Sequence, residues 1–142
     1  MLKRIGRVVF LVVLLLPGFA FAGNTADEAR QKAGEAAEKW LALIDRGEYG
    51  KSWESAAGYF KGAVTKKQWE QAAAAVRSPL GKVISRTLSS KQYATSLPGA
   101  PDGEYVVIQF ETAFEKKKSS VETITPMKEK DGTWRVSGYF IK

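Results

Sequence analysis

Charged side chains in otherwise apolar strand rows are the residues of this sequence best placed to do chemistry. After residue 82, apolar and polar residues alternate, and Arg86 falls between Ile84 and Leu88 in one row of the alternation. Glu111 and Glu122 lie in later stretches with the same period of two. A charge on a half-buried sheet face must be paired, because its desolvation is otherwise costly. We therefore predict a cross-strand ion pair between Arg86 and either Glu111 or Glu122.

This predicted ion pair has three interpretations. It could line the mouth of a cavity and orient a ligand there, which makes Arg86, Glu111 and Glu122 the candidate binding residues. It could instead brace the sheet, or its row could simply face water. We favour the two structural interpretations over the binding one.

The residue types that are missing limit the chemistry further. The sequence contains no histidine and no cysteine, which excludes Ser-His and Cys-His nucleophile pairs and the common zinc sites. Proton transfer would have to use a carboxylate, a lysine or a tyrosine, with Asp45, Glu111 or Glu122 as the base. Since none of them is singled out by a motif, we predict no catalytic residue, no metal and no cofactor.

Four tryptophans raise a separate question about ligand binding. Flat aromatic platforms bind sugars in exported proteins, and Trp40, Trp53, Trp69 and Trp134 could form one. The first three, however, lie on apolar helix stripes, and the fourth begins a strand row that is expected to face the core. We therefore favour their interpretation as aromatic core residues.

The first 22 residues are typical of a secretory signal peptide. Basic residues come first, an apolar run at 8–16 follows, and the small-x-small triplet Ala20-Phe21-Ala22 comes last. The apolar run is too short to cross a bilayer comfortably. We predict cleavage after Ala22, one mature domain of residues 23–142, and a periplasmic or secreted location. An uncleaved membrane anchor is the alternative.

Charge indicates which partners to expect. Cleavage would remove three basic residues and no acidic residue, so the formal net charge would fall from +7 to +4. The lysine clusters at 65–69 and 115–120 are interpreted as solvated turns. We expect no nucleic-acid partner, and favour an unknown protein or small molecule of the cell envelope over an anionic membrane surface.

Three helices are expected in the first part of the mature chain. Thr25 and Glu28 have the spacing of a capping box at the start of the first helix, and Thr65 and Gln68 have it at the start of the third. Pro79 ends the third helix, because the residue before a proline avoids helical geometry. The predicted helices cover residues 25–45, 49–60 and 66–78.

Four strands are expected to follow, separated by hairpin-length turns. The third contains Pro126, which favours an edge position or a bulge, and Asp131-Gly132 is a hairpin turn before the fourth. Helices first and strands afterwards predict an α+β fold, in which about three helices pack on one face of a curved four-stranded antiparallel sheet. In the last strand, Trp134, Val136 and Phe140 are expected to share the core side.

Six stretches of the mature chain resemble the bacterial domain-of-unknown-function family 4019. They are SWESAAGYFK, QWEQA, RSPLGKVISR, PGAPDGEYVVIQFETAF, VETIT and DGTWRVSGYFIK, of which RSPLG and the terminal GYFI are the more specific. The resemblance implies an exported small domain and supplies neither an activity nor catalytic residues. The order of elements is also similar to the cystatin-like and nuclear-transport-factor-two-like (NTF2-like) cone folds, in which a curved sheet wraps a long helix.

Two hypotheses of different class follow. The first is a non-catalytic exported module that binds a protein or a small ligand. The second is a small cone-fold lyase, isomerase or hydrolase that uses carboxylate and tyrosine acid–base chemistry. A carboxylate of raised pKa in an open apolar pocket would favour the enzyme, whereas a filled cone would favour the binding module.

Overall fold

A computed structural model describes residues 23–142, with side chains described from Thr25 onward. Within this range the chain is α+β, as predicted, with four α-helices where about three were expected. The predicted signal peptide, residues 1–22, lies outside the described residues. The helices are α1 (Gly23–Asp45), α2 (Tyr49–Glu54), α3 (Gly58–Ala63) and α4 (Lys66–Arg77), followed by a 3₁₀ turn (Ser78–Leu80) and by strands β1 (Val83–Ala94), β2 (Tyr105–Phe114), β3 (Lys117–Lys128) and β4 (Trp134–Ile141).

The long helix α1 packs against all four strands. Its apolar stripe is the face that is buried, as its three- and four-residue spacing predicts. Gly23 and Asn24 are already helical, so Thr25 lies inside the helix instead of capping it, and the predicted capping box is wrong. Glu28 pairs instead with Lys32 at 2.8 Å. No helix in residues 23–142 is both long enough and apolar enough to cross a membrane. The buried residues of the stripe are Ala29, Ala33, Ala37, Trp40, Leu41 and Ile44.

The second predicted helix is two helices, and Ala57 separates them. Its backbone is extended (φ −62°, ψ 150°), and its N–H donates to the carbonyl oxygen of Val136 on β4 at 2.8 Å. A continuous helix would use that N–H internally. The contact with the edge of the sheet therefore overrides the helical periodicity of residues 49–60.

Helix α4 begins with the capping box predicted at Thr65. The Thr65 hydroxyl accepts from the backbone N–H of Gln68 at 3.2 Å, and the Gln68 side chain accepts from the Thr65 N–H at 3.0 Å. The apolar face of α4 is only partly buried. Val76 is half exposed, whereas Arg77 is buried at the end of the helix.

The sheet is antiparallel, in the order β1-β2-β3-β4. The inner row of β2, which consists of Val106, Ile108, Phe110 and Phe114, is buried. Val106, Ile108 and Phe110 belong, with Ile124 of β3, to the main core that contains the buried stripe of α1. One long helix therefore packs against all four strands of the sheet, as in the cone folds.

Register shifts change the row that was predicted for β4. The pairing of β3 with β4 is interrupted between Thr125 and Pro126, which confirms the bulge predicted at Pro126. Ser137 is the extra residue opposite this point, so every later side chain of β4 changes face. Tyr139 therefore joins Val136 on the inner face, and Phe140, predicted to face the core, is 51% exposed.

The apolar neighbours of Arg86 are also more exposed than the alternation suggests. Ile84 is 57% exposed and Leu88 is 49% exposed. Both lie on β1, an edge strand with a partner on one side only, and bulges interrupt its pairing near both residues. Ile84 and Leu88 are therefore not core residues, whereas the Arg86 side chain extends into the protein and is only 17% exposed.

Candidate functional site

A completely buried carboxylate lies at the centre of the sheet's inner face. The side chain of Glu122 has no exposed surface. It accepts hydrogen bonds from Arg86 (Nε to Oε1, 2.7 Å; Nη2 to Oε2, 3.2 Å), from the Thr112 hydroxyl at 2.5 Å, and from the Tyr139 hydroxyl. The donors come from the other three strands. Arg86 of β1 lies directly opposite Thr112 of β2, and Tyr139 belongs to β4. The predicted contact between Arg86 and Glu122 is thus present.

Arg86 also joins the sheet to the helices. Its Nη1 and Nη2 atoms donate to the two oxygens of Asp45 at 2.8 and 3.0 Å. Asp45 is the last residue of α1 and also accepts from Arg77, the last residue of α4, at 3.1 Å. We call Asp45, Arg77, Arg86 and Glu122 the charged network. Its formal charges cancel, with two cations and two carboxylates.

Electrostatic interactions within the charged network favour the charged forms of Arg86 and Asp45. Burial alone would lower the pKa of Arg86, but its hydrogen bonds to Asp45 and Glu122 raise that pKa above the ordinary value. Burial would raise the pKa of Asp45, but the hydrogen bonds and charges of Arg86 and Arg77 hold that pKa below its usual value. Asp45 is therefore a weak base at neutral pH.

Tyr139 is held in its neutral form. Burial, reinforced by the negative charge of Glu122, raises the pKa of the Tyr139 phenol well above its ordinary value. The hydroxyl therefore stays a donor to Glu122 at neutral pH.

Arg77 was not anticipated as a member of this site. Its side chain is 5% exposed, and its guanidinium carbon lies 4.9 Å from the ring centre of Phe114, a cation–π geometry. Its Nε atom has no hydrogen-bond partner among the described residues. A position at a helix end inside the RSPLG stretch is the one sequence signal that could have pointed to it.

Aromatic side chains fill the space next to the charged network. The Tyr139 ring packs edge-on against Trp40, with ring centres 5.3 Å apart. Trp40 contacts Trp69 at 5.8 Å, and Trp69 contacts Phe60 at 4.9 Å. The indole N–H groups of Trp40 and Trp69 both donate to Ser52, to its carbonyl and hydroxyl oxygens respectively. These tryptophans are part of the packed interior, as their helical stripes predict.

Glu111, the other predicted partner of Arg86, does not contact it. Glu111 is exposed and lies opposite Thr87 and Val121, on the face of the sheet that points away from α1. Because side chains alternate along a strand, its position between Phe110 and Thr112 places it on the opposite face from both. Asp45, which the sequence suggests only as a candidate base, is the second carboxylate that contacts Arg86.

Ligand binding by Arg86, Glu111 and Glu122 stays a prediction. A cleft of about 260 Å³ lies between α1 and β4, and neither Arg86 nor Glu122 lines it. A shallow groove of about 340 Å³ on the outer face of the sheet includes Glu111 and several hydroxyl side chains. In residues 23–142 no three acidic side chains are grouped as metal ligands would be.

Comparison with solved structures identifies the fold. The chain is similar to a crystal structure titled as a "putative ketosteroid isomerase" from Shewanella frigidimarina, with a TM-score of 0.52 and 18% sequence identity. The match covers 82% of this chain and 97% of that chain. At this identity the likeness establishes an NTF2-like fold and carries no activity with it.

Comparison with sequences gives the family. No curated protein matches the chain significantly. The family described as "Protein of unknown function (DUF4019)" matches residues 36–139. This range includes all four residues of the charged network. The chain therefore belongs to the DUF4019 family.

Proposed function

We propose that this protein is an exported, non-catalytic module that binds a protein or small-molecule partner in the cell envelope. In this proposal the charged network is a brace that fixes the helices on the sheet. The observation that carries it is the hydrogen bonding of Glu122, whose two oxygens accept from Arg86, Thr112 and Tyr139 while the side chain is fully buried.

A general base needs a free lone pair within reach of a substrate proton. Both carboxylate oxygens of Glu122 already accept hydrogen bonds from protein donors. Its side chain has no exposed surface that a substrate could reach. Asp45 is more accessible, at 29% exposure, but its lowered pKa makes it a poor proton acceptor near neutrality. The carboxylates inside the cone therefore support bracing better than acid–base chemistry.

The second candidate function is a small cone-fold isomerase, lyase or hydrolase. The contact that favours it is the hydrogen bond from the Tyr139 hydroxyl to Glu122, because a tyrosine and a carboxylate in an apolar interior are a usable acid–base pair. A substrate would have to displace part of the aromatic cluster around Trp40 to reach them.

A turnover screen separates the two candidates. Purified protein is assayed with ester, glycoside, lyase and ketosteroid isomerisation substrates, alongside Asp45→Asn and Glu122→Gln. We expect no turnover by the wild type. Turnover by the wild type would overturn the non-catalytic module, and its loss in a variant that is still folded at the assay temperature would place the catalysis at that carboxylate.

Export is tested separately. We expect the mature protein to begin at Gly23, since Ala20-Phe21-Ala22 fits the cleavage rule. N-terminal sequencing of protein from the periplasm or the medium checks this. Recovery of intact Met1 on a membrane-bound product would favour the anchor.

A further inference from the structure

The cleft between α1 and the start of β4 is separate from the charged network. Its volume is about 260 Å³, and Trp40, Leu43 and Val136 provide apolar surface in it. A second cleft of about 250 Å³ adjoins it and shares Lys39 and Trp134 with it. Pockets for drug-sized ligands begin at about 300 Å³, so this cleft fits a smaller molecule.

Trp134 differs from the other tryptophans in its hydrogen bonding. The indole N–H groups of Trp40, Trp53 and Trp69 donate to protein oxygens at 2.8 to 2.9 Å. The indole N–H of Trp134 has no such acceptor among residues 23–142, and the side chain is only partly buried. Trp134 thus contributes aromatic surface to the cleft, and its indole N–H is a donor without a protein acceptor in this range.

The charges around the 260 Å³ cleft are of one sign. Lys39 and Arg135 line it, neither forms an ion pair within the described residues, and no carboxylate lines it. Arg135 contacts the Thr133 hydroxyl at 3.3 Å, and the nearby Asp131 is held by hydrogen bonds from Thr133. Glu35 lines only the adjoining cleft.

We propose that this cleft binds small carboxylates with an apolar or aromatic body. The body would lie against Trp134 and the apolar wall, and the carboxylate would be held by Lys39 and Arg135. Two cations that form no salt bridge within the described residues supply the charge complementarity, although the charge of Asp131 also acts on Arg135, and the indole N–H without a protein acceptor is a further donor for an anion. This inference rests on the proposed binding function, for which it names the ligand class and the site.

The test uses phenylacetate and its neutral analogue phenylacetamide as probes. Proton–nitrogen correlation spectra of the purified protein resolve the indole N–H signals, and Trp134→Phe assigns that of Trp134 by its loss. We expect phenylacetate to shift the Trp134 signal in a saturable way, with little change at Trp53 and Trp69, which line neither cleft. Phenylacetamide should bind at least about tenfold more weakly, since it lacks the charge.

Matched variants test the two cations. Lys39→Gln and Arg135→Gln should each weaken phenylacetate binding and leave phenylacetamide binding nearly unchanged. Lys67→Gln is the control, because Lys67 is equally exposed on a helix and lines none of these clefts. Unchanged melting temperatures show that the variants are folded.

The results distinguish the two proposals. No saturable shift at Trp134, equal binding of the two probes, or equal loss in Lys67→Gln would each overturn the carboxylate site. Turnover in the substrate screen would overturn the non-catalytic function but would not alter the probe titration. A selective shift that Lys39→Gln abolishes would support the site whichever way the screen ends.

Discussion

Replacing Arg86 with methionine removes the guanidinium that contacts both Asp45 and Glu122, while it keeps much of the apolar stem. Glu122 would then be a fully buried carboxylate with Thr112 and Tyr139 as its remaining donors. Breaking a buried ion pair by removing one partner costs about 3 to 5 kcal/mol, because the other charge is left uncompensated. We expect the free energy of unfolding to fall by about this amount.

Urea denaturation of the purified protein measures the effect. With a slope of about 2 kcal/mol per molar urea, the midpoint should fall by roughly 1.5 to 2.5 M. Arg46→Met is the matched control, because Arg46 pairs with Glu48 at 2.9 Å but is 60% exposed. An exposed pair contributes about 1 kcal/mol or less, so its midpoint should move little.

A second variant tests whether the uncompensated charge is the cause. Glu122→Gln removes the charge and keeps an acceptor for Thr112 and Tyr139. The double variant Arg86→Met, Glu122→Gln should therefore lose less stability than the two single variants together. Additive losses, or an Arg86→Met midpoint close to that of the Arg46→Met control, would refute the bracing role of the charged network.

Three further predictions concern Asp45, Thr65 and Gly132. The pKa of Asp45 is lowered in the folded state, so its contribution to stability is fully present above its unfolded pKa of about 3.9 and is lost as pH falls through the folded value. Asp45→Asn should therefore destabilise at pH 7, and its difference from the wild type should shrink in melts at successively lower pH below the unfolded pKa. A stability gap that is independent of pH would contradict this. Thr65→Ala removes the cap of α4 and should lower the free energy of unfolding, measured by urea denaturation, by about 1 kcal/mol. Thr95→Ala in the β1–β2 loop is the control, and equal losses in the two variants would argue against the cap. Gly132, in the β3–β4 turn, has a φ of 86°, which alanine rarely adopts. Gly132→Ala should therefore lower the melting temperature more than the control Gly58→Ala, because Gly58 has no positive φ. The reverse order would be inconsistent with this turn.

Local pattern was sufficient for the order of elements. The apolar stripe of α1, the capping box at Thr65 and the inner row of β2 depend on residues close together in the chain, and their spacing alone determines which face can be buried. The bulge at Pro126 follows as well, because a proline cannot donate to a sheet ladder.

Other features of the fold depend on contacts that spacing does not encode. The break at Ala57 exists because its N–H meets Val136 of β4, 79 residues further along the chain. The exposure of Phe140 results from one extra residue on β4, which exchanges the two faces of the strand beyond it. Neither can be read from the periodicity of its own segment.

The candidate site divides in the same way. The sequence by itself determined that Arg86 and Glu122 carry charge in apolar rows and therefore need partners, since buried charge must be compensated. Only the tertiary structure decided that the further partners are Asp45 for Arg86, and Thr112 and Tyr139 for Glu122, rather than Glu111. The ends of α1 and α4 reach Arg86 and Asp45 only after the helices pack on the sheet, and that packing joins residues 32 to 41 positions apart. The identity of a side chain shows that it requires a partner when it is buried, and the packing of distant elements determines which residue lies close enough to be that partner.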